Sequence, residues 1–479
     1  MRVTVIGAGH VGLVTALGLA EIGHRVTAVE NDVHTLERLL RGEPTIHENL
    51  IPQLLRRHLP RNVRFTSSIA EGMRAPEVVF ICVGTPPLPS GAADLRGVVA
   101  AARAIAAHLR KRVLIVEKST VPVGTCDTLR NELLKAGVDP SLFRVACNPE
   151  FLREGSAVSD FLHPDRIVLG ADDEDSRAIL RVLYRPLTHG DYYACSTLFP
   201  GNLQHCAPVL ETSIKSAELI KHASNAALAM SISFINAIAN IAEATGADID
   251  DVAAGIGADS RIGTKFLRAG IGYGGSCFPK DVDEFRRIAE RTGYCFALLS
   301  EVQRINAGQR QIFLEKVRAA VGPLCGRKLA ILGLSFKAGT DDIRCSPAIA
   351  IVKRLLEEGA SIAAYDPAAM ENARQELLTD RIQYCSNMYQ PMDGAHALLI
   401  LTEWPEFSRL DLRRVRSTLA SRVVADGRNL YRPQEMEAAG ITYVSIGRAT
   451  VSPIIPIERD DEEQVLGVAH ETHASDQTL

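Results

Sequence analysis

The chain has 479 residues, 46% hydrophobic and 23% charged, with 53 Lys plus Arg against 57 Asp plus Glu and a formal net charge of −4. At about 100–200 residues per domain that is enough for roughly three domains, each with its own core. The balance excludes a small stapled scaffold, a disordered chain and a polyanion binder held by bulk charge, so no nucleic-acid partner is expected. The ten cysteines are scattered, without a CxxC pair or histidines at zinc spacing. They predict no metal site and read as reduced thiols of a cytoplasmic protein.

Met1-Arg2 leads directly into Val3-Thr4-Val5-Ile6, too short for a signal peptide and predicted as a first strand. It opens into Gly7-Ala8-Gly9-His10-Val11-Gly12, a helical run Leu13 to Ile22, and a second strand, Arg25 to Val29, ending at Glu30. Strand, glycine turn, helix, strand and acidic end are the full context of a dinucleotide site. Gly7 permits the tight turn, Gly9 lets the backbone approach a pyrophosphate, and Gly12 lets helix and strand pack closely. Glu30 would accept hydrogen bonds from ribose hydroxyls and repel a 2′-phosphate, which favours NAD over NADP.

Further strands are predicted at Val78 to Val83 and Val113 to Glu117, ending in Gly84-Thr85-Pro86-Pro87 and Lys118-Ser119-Thr120-Val121-Pro122. In an open parallel sheet ligands bind outside the carboxyl ends of the strands, which puts these turns on the nicotinamide side. A further end, Val145 to Cys147, runs into Asn148-Pro149-Glu150-Phe151. Between Arg185 and Leu210 the pattern fails and a loop is predicted. From Ser213 to about Thr245 apolar positions recur at helical spacing, which predicts a long strut with surface for a dimer. The apolar stretch Ala223 to Ala242 is interrupted by serines and asparagines and suits a buried helix better than a membrane span.

A glycine-dense segment, Gly270 to Asp281, implies backbone packed close to a ligand. Lys328 to Leu332 and Ser361 to Tyr365 repeat the opening strand pattern, but Ser335 and Lys337 stand where a dinucleotide turn needs glycine. The expected fold is therefore α/β: two Rossmann-like, doubly wound parallel-sheet domains joined by a long central helix. The boundaries are 1–205 (with 188–205 an inserted loop), 206–310, 311–450, and a disordered acidic tail, 451–479. Cys277, set among glycines with Lys280 and Asp281 beside it, is the thiol in a setting built for ligand approach. A nearby ammonium or helix N-terminus would lower its pKa and expose a thiolate.

Seven ordered motifs also carry a family resemblance: Gly7 to Gly12, Cys82 to Pro86, Lys118 to Thr125, Asn148 to Gly155, Pro164 to Arg166, Gly272 to Asp281 and Phe336 to Arg344. Over residues 1 to about 450 the chain resembles the nucleotide-sugar 6-dehydrogenases of the UDP-glucose/GDP-mannose dehydrogenase family. Pro164-Asp165-Arg166 and Ser276-Cys277-Phe278 resemble its UDP-glucose branch. The resemblance implies a homodimer or higher homo-oligomer that oxidises the C6 hydroxyl of a UDP-sugar to a carboxylate with two NAD. Other nucleotide sugars, such as GDP-mannose or a UDP-N-acetylhexosamine, are the alternative substrates, and an inert NAD-binding scaffold is the contrasting reading.

By the same resemblance Cys277 forms a thiohemiacetal and a thioester, Lys221 and Asn225 sit at the sugar carbon, Asp281 and Thr120 hold a water or alcohol, and Glu150 activates the hydrolytic water. Cofactor contacts implied are Gly7, Gly9, His10, Val11, Gly12, Glu30, Val83, Thr85, Ser119, Thr120, Glu154, Cys277, Lys280 and Arg344. Substrate contacts implied are Glu150, Phe151, Leu152, Arg153, Glu154, Lys221, Asn225, Phe266, Arg268, Ile271, Gly272, Tyr273, Gly274, Phe336, Lys337 and Arg428, with Arg261 reaching across a dimer interface. Thr35 departs from the Lys or Arg usual there, and Glu30 replaces the usual Asp.

Overall fold

The computed structural model describes residues 1–199 and 206–453. Short β-branched and apolar runs make eight strands in the first sheet, the central ones buried on both faces. They are β1 (Arg2–Ile6), β2 (Arg25–Val29), β3 (Val63–Thr66), β4 (Val78–Ile81), β5 (Val113–Glu117), β6 (Phe143–Cys147), β7 (Ile167–Gly170) and β8 (Val209–Thr212). Their order is β3-β2-β1-β4-β5-β6-β7-β8. β1 pairs in parallel with β2 and β4, Ile6 lying opposite Val29 and Ile81. The strand order reverses at β1, so the turns after β1, β2 and β4 open on one edge at the crevice where such sheets take ligands.

The first sheet is parallel as expected apart from one pairing, at β7. This strand runs antiparallel to β6, and β8 runs parallel to β7. A second six-stranded sheet, wholly parallel, has the order β11-β10-β9-β12-β13-β14. Its strands are β9 (Lys328–Leu332), β10 (Ser361–Tyr365), β11 (Ile382–Tyr384), β12 (Ala397–Ile400), β13 (Val423–Asp426) and β14 (Thr442–Ser445). Asp366 after β10 mirrors Glu30 after β2, but its carboxylate accepts from the Leu334 and Ser335 amides and the Ser335 hydroxyl. Trp404 Nε1 also reaches it, at 3.2 Å, so a bulky ring fills that turn.

Between the sheets runs the helix Ile214–Thr245, with Ser213 as N-cap accepting from the Ser216 amide and Gly246 as C-cap in the left-handed region. By length and composition alone it could cross a membrane. It buries Glu218, Lys221, His222, Asn225 and Asn236 in the fold and packs on the helices Phe278–Arg291 and Ala297–Val321. Glu218 accepts from the Gly124 and Cys126 amides, tying this helix to the turn after β5.

The loop predicted across Arg185 to Leu210 is also corrected. The helix Glu174–Thr188 passes through Pro186, and a short helix, Asp191–Cys195, follows. Tyr192 and Tyr193 on it are buried, and Tyr193 Oη donates to the Leu162 carbonyl at 2.7 Å. Polar residues around two tyrosines hid a segment that is part of the first core. Residues 200–205 of this stretch lie outside the described residues. At the other end Val451 exchanges backbone hydrogen bonds with Tyr443. The fold thus extends past the expected tail boundary, and the tail from 454 onward lies outside the described residues.

Candidate active site

The glycine turn after β1 has the geometry its sequence predicts. Gly7 has φ +90°, and a Cβ on Gly12 would lie 1.8 Å from the Gly7 carbonyl oxygen. A Cβ on Gly9 would meet no protein atom within 4 Å. Gly12 is therefore required by helix–strand packing, whereas Gly9 faces space where a phosphate can approach. Glu30 is buried and accepts from the Ala8 amide at 2.8 Å and the Asp32 amide at 2.9 Å, which aims its carboxylate across the end of β2. His10 and Val11 are half-buried at the helix start.

The turns after β4 and β5 are tied together: Thr85 Oγ1 donates to the Thr120 carbonyl at 2.8 Å and Ser119 Oγ to the Ile81 carbonyl at 3.3 Å. Val83 is half-buried beside them. These residues fit a dinucleotide: an open glycine cradle, a carboxylate at the ribose end and small hydroxyl side chains at the far turns.

Cys277 is the N-cap of the helix Phe278–Arg291, and Lys221 and Asn225 project from one face of the helix Ile214–Thr245 toward it. Lys221 Nζ lies 2.9 Å from Glu150 Oε1, with both side chains buried. Burial opposes the charge on Lys221, but Glu150, and beyond it Cys277 and Asp281, outweigh burial and hold its pKa above the ordinary lysine value. Burial also pushes Glu150 up, yet Lys221, the Leu152 amide and Lys118 overcome it and leave the carboxyl below its usual range. Asn225 Nδ2 donates to Asp281 Oδ2 at 2.5 Å, and Lys280 Nζ to Asp281 Oδ1 at 2.6 Å.

The expectation of an activated thiolate is corrected. Burial, reinforced by Glu150, pushes the Cys277 thiol up to about 11, and Lys221 only partly offsets it. Lys280, three residues after Cys277, pairs with Asp281 instead.

These groups open on a cavity of about 890 Å³ lined by the loop Glu150 to Glu154, by Lys221, Asn225 and Cys277, and by residues of the second sheet's turns. Phe151, Leu152, Arg153, Phe266, Arg268, Gly272, Tyr273, Gly274, Phe336, Lys337 and Arg428 are all on its wall. Arg428 is held by the Leu401, Gly272 and Phe336 carbonyls and by Glu403, 3.1 Å away. Its planar cation suits a phosphate, but the wall near it also carries that carboxylate.

Some expected residues stand elsewhere. Ile271 is fully buried and off the wall, so only its main chain can serve a ligand. Asp281 and Thr120 are not on the wall, and buried Asp281 meets it through Asn225. Arg344 pairs with Asp342 at 2.6 Å and approaches Glu154 at 3.7 Å. Arg261 is exposed and pairs with Asp259 at 2.6 Å, away from this cavity.

Glu154 accepts from Ser276 Oγ at 3.0 Å and Thr340 Oγ1 at 3.4 Å, so one carboxylate links the first sheet's loop to the cysteine loop and to the second sheet. Burial, with Asp342 nearby, pushes it up to about 7. Sequence reasoning quoted Arg166 only as part of a motif. Its guanidinium lies 3.7 Å from the Phe151 ring centroid and fixes that wall. The buried Lys118, donating to Asn148 Oδ1 at 2.9 Å, also lines the cavity and had no assigned role. Among the described residues no group of His, Cys, Asp and Glu is placed to hold a metal ion.

Comparison with known proteins finds matches to family models over three segments of the chain. Residues 1–188 match the UDP-glucose/GDP-mannose dehydrogenase family, NAD binding domain, 215–308 its central domain and 330–433 its UDP binding domain. The chain is 41% identical over 454 residues to UDP-glucose 6-dehydrogenase YwqF of Bacillus subtilis, covering 95% of this chain and 99% of that one. It is 42% identical over 458 residues to the UDP-glucose 6-dehydrogenase of Pseudomonas aeruginosa, covering 94% and 98%. The structure of a UDP-glucose dehydrogenase from Pyrobaculum islandicum superposes with a TM-score of 0.83 at 38% identity, covering 94% of this chain and 98% of that one. A UDP-D-ManNAc dehydrogenase from Pyrococcus horikoshii, at TM-score 0.79 and 24% identity, shares the fold. Each matched segment supplies either the dinucleotide turn or a wall of the cavity, and on that footing the chain belongs to the UDP-glucose/GDP-mannose dehydrogenase family.

Proposed function

We propose that this chain is an NAD-dependent UDP-glucose 6-dehydrogenase that carries the sugar C6 hydroxyl through the aldehyde to the carboxylate on Cys277. The observation that carries the reading is the convergence of Cys277, Lys221, Asn225 and Glu150 on one cavity beside an open dinucleotide turn. NAD, when bound, would accept a hydride at each of the two oxidations. Gly9, Glu30, Thr85 and Ser119 would hold it, with Gly7 and Gly12 shaping the turn.

In this reading Lys221, kept cationic by Glu150, stabilises the negative oxygen at C6 as the first hydride leaves. Asp281, held by the Asn225 amide, takes up the hydroxyl proton through a water that it holds together with Thr120. Addition of the Cys277 S–H across the aldehyde gives a neutral thiohemiacetal, the sulfur bonding to C6 and the proton going to the C6 oxygen. A thiol with a high pKa suits that addition because no free thiolate has to be stored. Loss of a second hydride and the hydroxyl proton leaves a thioester. Glu150 then takes a proton from water as it attacks C6, the C–S bond breaks, and the sulfur is reprotonated.

The wall cations Arg268, Lys337 and Arg428 would hold the diphosphate. We further infer a homodimer through the exposed apolar side chains of the central helix, including Phe234 and Ile241, with Arg261 reaching the neighbouring cavity. The domain division at 205/206 and 310/311, a cytoplasmic location and UDP-glucose over a UDP-N-acetylhexosamine or GDP-mannose belong to the same proposal.

The test is NADH formed per UDP-glucose consumed, beside the other sugars, with Cys277→Ser in parallel. Two NADH per sugar, lost in the variant, is expected. One NADH per sugar would end the four-electron reading, and turnover of another sugar alone would move the substrate.

A further inference from the structure

The loop between β6 and the helix Ala157–Leu162 has no regular structure, yet it supplies Glu150 to Lys221 and Glu154 to Ser276 and Thr340. With no ladder to pair them, the amides of an irregular loop are held by side chains, as the Leu152 amide is by Glu150 and the Arg153 amide by Asp160. Two of them, those of Gly155 and Ala157, donate to one side chain: Gly155 N to Glu48 Oε2 at 2.7 Å and Ala157 N to Glu48 Oε1 at 2.8 Å. The Glu48 carboxylate is wholly buried.

Its second neighbour is in the dinucleotide turn. His10 Nε2 lies 3.6 Å from Glu48 Oε2, and that nitrogen has no hydrogen-bond partner. His10 in turn lies within the electrostatic reach of Glu150, Arg344 and Lys337. Gly155, with φ +83°, is also where the first sheet's loop meets the second sheet's, since a Cβ there would lie 2.6 Å from the Gly339 carbonyl oxygen. One carboxylate therefore touches the backbone that carries Glu150 and Glu154 and faces the histidine that opens the cofactor helix.

We propose that Glu48 is a positioning residue of the reaction: it holds the Glu150–Gly155 loop in register with the His10 turn, so that the sugar carbon and the cofactor meet at a fixed spacing. This rests on the dehydrogenase reading above. Burial pushes the Glu48 carboxyl up to about 7, with the two amides and Lys337 pulling the other way, so charge on Glu48 is held by the loop it anchors.

Glu48→Gln keeps the shape but turns an NH2 toward one of the two amides. It is expected to lower kcat by on the order of 10-fold or more, because small misplacements are costly in near-attack geometry. UDP binding by calorimetry and NADH binding by fluorescence, each alone, should stay within about threefold, since each site remains built. Asn49→Ala, which removes the exposed hydrogen bond from Asn49 Nδ2 to the Gly155 carbonyl, should change kcat by less than about threefold.

A Glu48→Gln protein with wild-type kcat overturns the proposal. So does one whose UDP and NADH binding fall in step with kcat, which marks a merely structural role. If the variant does not fold, amide exchange in the wild-type protein decides: slow exchange at Gly155 and Ala157 supports the anchor, and exchange at loop rates overturns it. The two binding titrations need no turnover, so a wild-type protein that binds both ligands but does not oxidise UDP-glucose removes the substrate assignment and leaves the coupling to be read from ternary binding. There, wild type should bind NADH more tightly with UDP present than without, and Glu48→Gln should lose that gain; equal gain in both overturns the proposal.

Discussion

Lys221 and Glu150 form a buried ion pair, Nζ to Oε1 at 2.9 Å, in which each side chain holds the other in its charged form. The pair's stabilisation is present above the ordinary carboxylate value of 4.5, because the depressed Glu150 loses it only as pH falls through its folded pKa. It is likewise fully present below 10.5 and is lost as pH rises through the elevated pKa of Lys221. Removing one partner strands the other: Lys221→Met should destabilise the protein by about 3–5 kcal/mol, and Lys221→Met/Glu150→Gln should recover much of that. Chemical denaturation at pH 7 reads the difference, and an additive double variant would contradict the pairing.

The two glycines of the dinucleotide turn should separate binding from folding. Gly9→Ala adds a methyl to open space, so the melting temperature should stay within about 2 °C of wild type while NADH affinity falls on the order of 10-fold or more. Gly12→Ala forces a methyl to within 1.8 Å of the Gly7 oxygen and should lower both. Thermal melts with NADH titrations check the contrast.

Cys277 should be a slow thiol in the free protein. At a pKa of about 11 rather than 9.0 it carries about 100-fold less thiolate at pH 7 than an ordinary cysteine. In a short iodoacetamide pulse read by peptide mass, the exposed Cys195, Cys295 and Cys325 should be labelled first, and labelling of Cys277 should climb about tenfold per pH unit up to pH 10. Cys277 labelled alongside the exposed thiols at pH 7 would show a thiolate already present.

The segment after the helix Glu174–Thr188 should behave as core. Tyr193→Phe removes a buried hydroxyl that donates to Leu162 and should cost about 1 kcal/mol, with kcat unchanged. A variant as stable as wild type would return this stretch to the status of a surface loop.

What the sequence made legible is what short-range geometry dictates. The glycine turn and the place of Glu30 at the end of β2 are legible because φ and close packing act over a few residues, and the long helix is legible because its period repeats. The errors have a common origin in contacts between distant segments. Lys280 three residues from Cys277 suggests an activated thiolate, but Lys280 turns to Asp281 while burial, and with it Glu150 far off in sequence, raises the thiol. Ile271 lies in a glycine-rich ligand motif, and a motif does not say whether main chain or side chain faces the cavity. Glu48 stands in an unremarkable polar stretch, and only the fold brings it to two amides of a loop more than 100 residues away, 107 and 109 along the chain. Tyr192 and Tyr193 vanish among turn-forming residues for the same reason.

The meeting of Gly155 with Gly339 sets a spacing as well as a contact. Where the two sheets' loops come together neither has a side chain, so their separation there is one thickness of main chain. Side-chain packing can be retuned by a methyl group in either direction, but a main-chain contact admits only increase. Any residue other than glycine at 155 is a wedge between the cofactor half and the far half of the cleft, pushing its two loops apart without altering a single residue on the cavity wall.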